Sequence, residues 1–265
     1  MNNKRDLTAE YLQQRPLTAR NLRDFELCPQ KYLLSLSVAP AEARQFIGGP
    51  AALQWAVRGT LIDCYRRGGP QQISQPSLLD LFEQHWEGEL CADSLEERQL
   101  HSRGIRLLTD YYQAHHQAPN QTIAGDLRLT AEIAGHDFAA VADRVDRDES
   151  GVITLLRYKT SASPPGPGTL AKDISAGLLL LLGADHYQPQ TCQTAIYALR
   201  PQRLIVADID ADQRQRLREQ IITLADEVQS TQDFLTQEGQ HCRWCRSRAQ
   251  CPAWASAHYQ RGAST

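Results

Sequence analysis

The sequence predicts an α/β protein: a central mixed sheet flanked by helices, with a helical N-terminal region and a cysteine-bearing C-terminal staple. Three observations carry this. Residues up to about 118 repeat apolar positions at helical spacing, residues 123–160 alternate apolar and polar positions, and helix and strand patterns then follow one another. The chain has 265 residues, 28 Lys+Arg against 31 Asp+Glu, and 42% hydrophobic residues. That balance excludes a disordered tail or a collagen-like repeat. The longest apolar stretch, Ala176–Ala184, falls far short of the ~20 residues a membrane helix needs. No signal-peptide core follows Lys4 and Arg5, so a cytoplasmic protein is expected. The net charge of −3 does not indicate a nucleic-acid binder, but leaves room for a local basic groove.

The elements follow in order. Residues 1–16 read as a loose lead-in. Thr18 is placed to cap a helix that turns Leu22 and Phe25 to one face, and Pro29 separates it from a short helix over Gln30–Leu36. Gly48-Gly49-Pro50 reads as a turn before a helix from about Ala51 to Arg67, which Gly68-Gly69-Pro70 ends. Ser77–Cys91 and Ser94–Gln117 read as two more helices. Strands are expected over Ile123–Ile133, His136–Arg147 and Val152–Thr160, the last two joined by a turn at Asp148–Gly151. Ser161–Gly168 is a loop. Helices are expected over Leu170–Leu182 and Pro189–Leu199, a strand over Leu204–Ile209, and a helix over Ala211–Gln229. The expected divisions are thus a helical region over 17–118, an α/β core over 119–230 and a cysteine segment over 231–265.

Seven cysteines, an odd number, cannot all pair within one chain, and thiols stay reduced in the cytosol. Cys64, Cys91 and Cys192 are isolated in apolar or helical contexts and read as small buried hydrophobes. Cys242, Cys245 and Cys251 place three soft ligands within ten residues, which suits zinc or an iron–sulfur cluster. The fourth ligand would be the adjacent His241 or the distant Cys28. Lysine is scarce: Lys4, Lys31, Lys159 and Lys172 are the whole set, so 28 − 4 = 24 basic residues are Arg. Arg157 and Lys159 share one face of a strand, and Asp143 on the preceding strand can point to the same space. Gln193 and Tyr197 are spaced to align on a helix face. Trp86, Trp244 and Trp254 could stack bases if exposed, although core packing is the more ordinary role.

The order Cys28, Asp143, Tyr158-Lys159-Thr160, Gln193-x3-Tyr197 and Cys242-x2-Cys245-x5-Cys251 resembles the RecB-type branch of the PD-(D/E)XK nucleases. It is most similar to the members with a four-cysteine iron–sulfur cluster, which include CRISPR-associated iron–sulfur nucleases and the AddB nuclease domain. The resemblance runs from about residue 17 to 252 and includes Leu17-Thr18-Ala19-Arg20 and the stretch from Phe25 to Tyr32. It implies a nuclease-like core, a 4Fe-4S cluster on Cys28, Cys242, Cys245 and Cys251, and a Mg²⁺ or Mn²⁺ site for phosphodiester hydrolysis. Carried over, Asp143 is the first acid and metal ligand, Lys159 the catalytic lysine, and Gln193 and Tyr197 a pair beside the DNA path. Two positions depart from the pattern. Arg157 stands where the second acid belongs, and Asp63, in Gly59-Thr60-Leu61-Ile62-Asp63, stands where a metal-binding His belongs.

An arginine beside a divalent cation costs ~4 kcal/mol per unit-charge pair at ~4 Å and an effective dielectric of ~20. Three outcomes follow. The site is degenerate, with Arg157 and Lys159 holding a DNA phosphate directly and cleavage weak or lost. Alternatively, the protein is an active Mg²⁺/Mn²⁺-dependent exonuclease in which Asp63 supplies the missing carboxylate and joins Asp143 as catalytic residue and metal ligand. Alternatively, it is a non-catalytic scaffold in a helicase–nuclease complex. The expected partner is DNA, as ends or single strands, in repair, recombination or defence, together with a helicase or another nuclease subunit and no membrane.

Overall fold

The computed structural model describes residues 15–37, 48–187 and 192–254. Most of the lead-in expected over residues 1–16, and the start of the helix expected from Pro189, lie outside them. The chain divides into two compact units. One comprises Met1–Phe46, Glu132–Phe138 and Glu219–Thr265, the other Ile47–Ala131 and Ala139–Arg218.

The first unit opens with α1 (Ala19–Leu27) and α2 (Pro29–Ser37). Thr18 caps α1 as expected: its hydroxyl accepts from the Asn21 N–H at 3.3 Å, and the Asn21 side chain accepts from the Thr18 N–H at 3.0 Å. This reciprocal pair satisfies donors that a helix start leaves open. Leu22 and Phe25 are buried. Phe25, Tyr32 and Phe234 form an aromatic cluster that holds the segment after residue 230 against the first helices. The Leu17 N–H donates to the Asp137 carbonyl at 2.7 Å.

The second unit holds α3 (Gly49–Arg66), α4 (Gln75–His85), a 3-10 turn at Gly88–Leu90, and α5 (Ser94–His115). Gly48-Gly49-Pro50 is not a free turn but the start of α3: Gly48 caps it and Pro50 sits in its first turn, where a missing N–H costs nothing. The helix expected to run to Cys91 stops at His85, because Trp86 is extended and Gly88 opens a separate turn. Gly68 and Gly69 both have positive φ and end the α3 connection.

The sheet has the order β1-β2-β3-β4-β5, with β1 Thr122–Ile133, β2 His136–Arg147, β3 Ile153–Lys159, β4 Cys192–Ala198 and β5 Arg203–Val206. Ala134 and Gly135, both at positive φ, make the two-residue turn between β1 and β2. β2 and β3 run antiparallel, β3 and β4 parallel, β4 and β5 antiparallel. The parallel step requires a crossover, supplied by α6 (Pro167–Leu170) and α7 (Ile174–His186). Asp173 caps α7, so that helix starts later than the expected Leu170. The final helix, α8, spans Ala211–Ser230.

The helix expected over Pro189–Leu199 is a correction: its described part is strand β4. Thr194, Ile196 and Tyr197 favour a pleated strand. Both faces of β4 are covered, so its burial is nearly continuous and the alternation that reveals a strand is missing. On one face Leu156, Tyr158, Tyr197 and Leu199 join a core with Leu53, Val57, Leu61, Phe82, Leu108 and Tyr111 from α3, α4 and α5. On the other, Ile196 and Ala198 pack with Leu170, Ala176 and Ile205. Cys64 and Cys192 are buried as expected, whereas Cys91 is only partly covered. No helix among the described residues is long and apolar enough to cross a membrane.

Candidate functional site

The register of β2 against β3 runs from Arg147↔Ile153 to Arg144↔Leu156. Beyond it the Tyr158 N–H is met by a side chain: Asp143 Oδ2 accepts from it at 2.9 Å. The other oxygen, Oδ1, accepts from Arg58 Nε at 2.6 Å. Asp143 is 1% exposed, so its charge needs both partners. Arg58 comes from α3, one turn before Asp63.

The ion pairs continue outward as a ladder. Arg58 Nη2 lies 3.7 Å from Asp126 Oδ1, and Arg66 Nη2 lies 2.7 Å from Asp126 Oδ2. Arg66 Nη1 is 2.9 Å from Asp63 Oδ1, and His85 Nε2 is 2.8 Å from Asp63 Oδ2. Three carboxylates from α3, β1 and β2 thus alternate with two guanidinium groups. Burial pushes the Asp63 carboxyl up, but hydrogen bonds from His85 and Arg66 outweigh it and bring its pKa below the usual carboxylate value. Asp126 has φ 51°, in the left-handed region, and follows Gly125 in mid-strand.

Asp143 and Asp63 therefore lie on one chain of charges, each with its own arginine. Arg157 and Lys159 share a strand face by alternation, with Arg157 partly buried and Lys159 exposed. Gln193 and Tyr197 pair with Thr154 and Tyr158 in the register, which puts them on the opposite face. Their expected place beside Lys159 is thus not observed. Gln193 Nε2 donates to Thr154 Oγ1 at 2.9 Å. The Tyr197 hydroxyl is 2.8 Å from His115 Nε2 and belongs to a buried network of Tyr65, Tyr111 and Tyr158 around Arg144. Burial pushes the Tyr197 phenol up to about 12. Burial, reinforced by the Arg144 charge, pulls His115 down to about 4.

In the first unit, Cys28, Cys242, Cys245 and Cys251 line one cavity of about 330 Å³, together with Lys31, His241, Arg243 and Arg248. Cys28 Sγ also accepts from the Gln237 N–H at 3.4 Å. Trp254 borders this cavity, with the Arg248 guanidinium 5.9 Å from its ring centre. Trp86 packs on Phe82 and His101, while Trp244 is 75% exposed.

A sequence model of the PD-(D/E)XK nuclease superfamily matches residues 16–252. The chain belongs to this superfamily. The mixed sheet with its helical crossover is the α/β core that membership requires. A crystal structure of a candidate exonuclease from Eubacterium rectale superposes with a TM-score of 0.50 over 92% of each chain, at 11% identity, and so shares the fold. The structure of SSO0001 aligns over 78% of this chain and 85% of that one, at 17% identity and a TM-score of 0.31, too distant to bear on the fold. None of the curated proteins matches the sequence.

Superfamily nucleases typically use Mg²⁺ or Mn²⁺, and the residues present here do not fit such an ion. Both Asp143 oxygens are taken, Arg58 supplies the positive charge beside them, and Arg157 replaces the second acid. Among the described residues, no three His, Cys, Asp or Glu side chains are grouped so as to hold one metal ion. Sequence reasoning missed Arg58, Arg66, His85 and Asp126. A signal existed for Asp126 alone: a glycine inside a strand pattern marks a bulge that re-aims its neighbour.

Proposed function

We propose that this protein is a RecB-type member of the superfamily that binds DNA ends or single-stranded DNA through a degenerate site, with phosphodiester cleavage weak or lost. The observation that carries the reading is the Arg58 guanidinium on the Asp143 carboxylate. A fixed cation of the chain itself stands where the superfamily would recruit a metal. A divalent ion entering there would meet Arg58 and Arg157 at ~4 kcal/mol per unit charge at close range, with no second carboxylate in compensation. Arg157 and Lys159, side by side on one strand face, suit a phosphate instead, since guanidinium binds phosphate oxygens in a fork. Such a protein would serve a helicase or a second nuclease in repair, recombination or defence, in the cytoplasm.

The same reading includes a 4Fe-4S cluster on Cys28, Cys242, Cys245 and Cys251. Its support is that four thiols from distant parts of the sequence line one cavity bordered by Lys31, Arg243 and Arg248, whose charges complement four thiolates. The thiols are not gathered for a single ion. A tetrahedral zinc site, with Zn–S bonds of ~2.3 Å, would hold its sulfurs within about 4 Å of one another.

Fluorescence anisotropy with labelled single-stranded, tailed and blunt DNA at graded salt tests the DNA-binding role. Sequence-independent, salt-sensitive binding is expected, and Arg157→Glu should weaken it at least tenfold. Absence of binding at low salt, with the cysteine site intact, would leave only the scaffold role.

A further inference from the structure

We propose that His241 donates a hydrogen bond from Nε2 to the group bound by the four cysteines, and so tunes its reduction potential as a positioning residue. The inference rests on the cluster reading above and goes beyond it. His241 Nε2 is a buried side-chain nitrogen with no hydrogen-bond partner among the described residues. His241 also lines the cavity that Cys28, Cys242, Cys245 and Cys251 line. A buried imidazole nitrogen without a partner is costly, on the order of 1–3 kcal/mol. Such atoms are few in folded proteins and call for an explanation. Here the missing partner has a natural identity. A cluster in this cavity would present sulfide and thiolate sulfurs, which are acceptors, toward the residues lining it. Cys242 follows His241 directly, so the backbone that places one ligand also places the imidazole.

The chemical consequence is directional. Reduction adds an electron to the cluster, and a donor aimed at its sulfurs stabilises the more negative state. Hydrogen bonds to sulfur are among the factors that set cluster potentials. Lys31, Arg243 and Arg248 act in the same direction by charge alone. His241 differs from them in supplying a specific N–H.

The test uses the full chain, purified or reconstituted without oxygen, with iron content measured first. The reduction potential is then compared for the wild type, His241→Leu and His241→Gln. Four irons per chain are expected in all three. The potential should fall in His241→Leu and return most of the way in His241→Gln, which keeps an N–H. An unchanged potential in an iron-replete His241→Leu would overturn the proposal while leaving the cluster reading intact. Wild-type protein with zinc or no metal would overturn both. Where the variants fail to fold, wild-type protein labelled with ¹⁵N-histidine and reduced to its paramagnetic state gives the answer by pulsed electron paramagnetic resonance. A weak histidine nitrogen coupling is expected. No coupling, or the strong coupling of a nitrogen bound to iron, would contradict it.

Discussion

Arg58 holds a carboxylate that is almost wholly withdrawn from water, and removing it tests the ladder at its inner end. Asp143 would keep only the Tyr158 N–H. An uncompensated buried charge costs about 3–5 kcal/mol. Arg58→Ala should therefore lower the unfolding free energy by roughly that amount in a denaturant titration. Mn²⁺ should recover part of the loss, because the variant recreates an anionic position that a cation can fill. His115 supplies a second prediction. Its folded pKa, near 4, lies below the usual value of 6.5, so the unfolded chain binds the extra proton first. The associated stability is present above about pH 6.5 and is lost as pH falls toward 4, up to ~3 kcal/mol at the limit. His115→Gln, which can still bond Tyr197, should flatten the dependence of Tm on pH between 7 and 4.5. An equally steep dependence in the variant would place the responsible group elsewhere.

At the scale of the element, α7 and β4 explain what the sequence could and could not tell. The helix α7 is apolar on all sides, and its glycines are packing devices. A Cβ on Gly183 would stand 2.0 Å from Leu155 Cδ1, and one on Gly177 3.0 Å from Leu217 Cδ2. Gly183→Ala should cost about 1–3 kcal/mol by overpacking, read as a lower midpoint in urea. The N-cap of α1, the β1–β2 and β2–β3 turns and the extent of α8 were all legible, because each depends on local chemistry such as Thr18, Gly135 or Gly151. β4 was not legible, since a strand buried on both faces loses its period. That single misassignment moved Gln193 and Tyr197 from an expected helix beside Lys159 to the far face of the sheet. The ion-pair ladder was illegible for a different reason. Arg58, Asp126 and Asp143 are far apart in sequence, and only the pairing of three elements brings their charges together.

For the whole molecule, the cysteine cavity joins the start of α2 to the segment after α8. The interval from Cys28 to Cys242 is 242 − 28 = 214 residues. A group bridging them closes a very long loop, and the stabilisation from loop closure grows with the logarithm of loop length. Cys28→Ala should lose bound iron and most of the soluble yield, because metal binding at such a site is also folding free energy. Retention of iron in that variant would remove Cys28 from the ligand set.

The central claim is that the chain's own guanidinium groups have taken the place of the catalytic cation, and a Mn²⁺ titration of the full chain followed by electron paramagnetic resonance tests it most directly. The account predicts no stoichiometric Mn²⁺ site in the wild type and a new one in the Arg58→Ala, Arg157→Asp double variant, where one cation is removed and the second acid restored. A stoichiometric wild-type Mn²⁺ site that disappears in Asp143→Ala would contradict it.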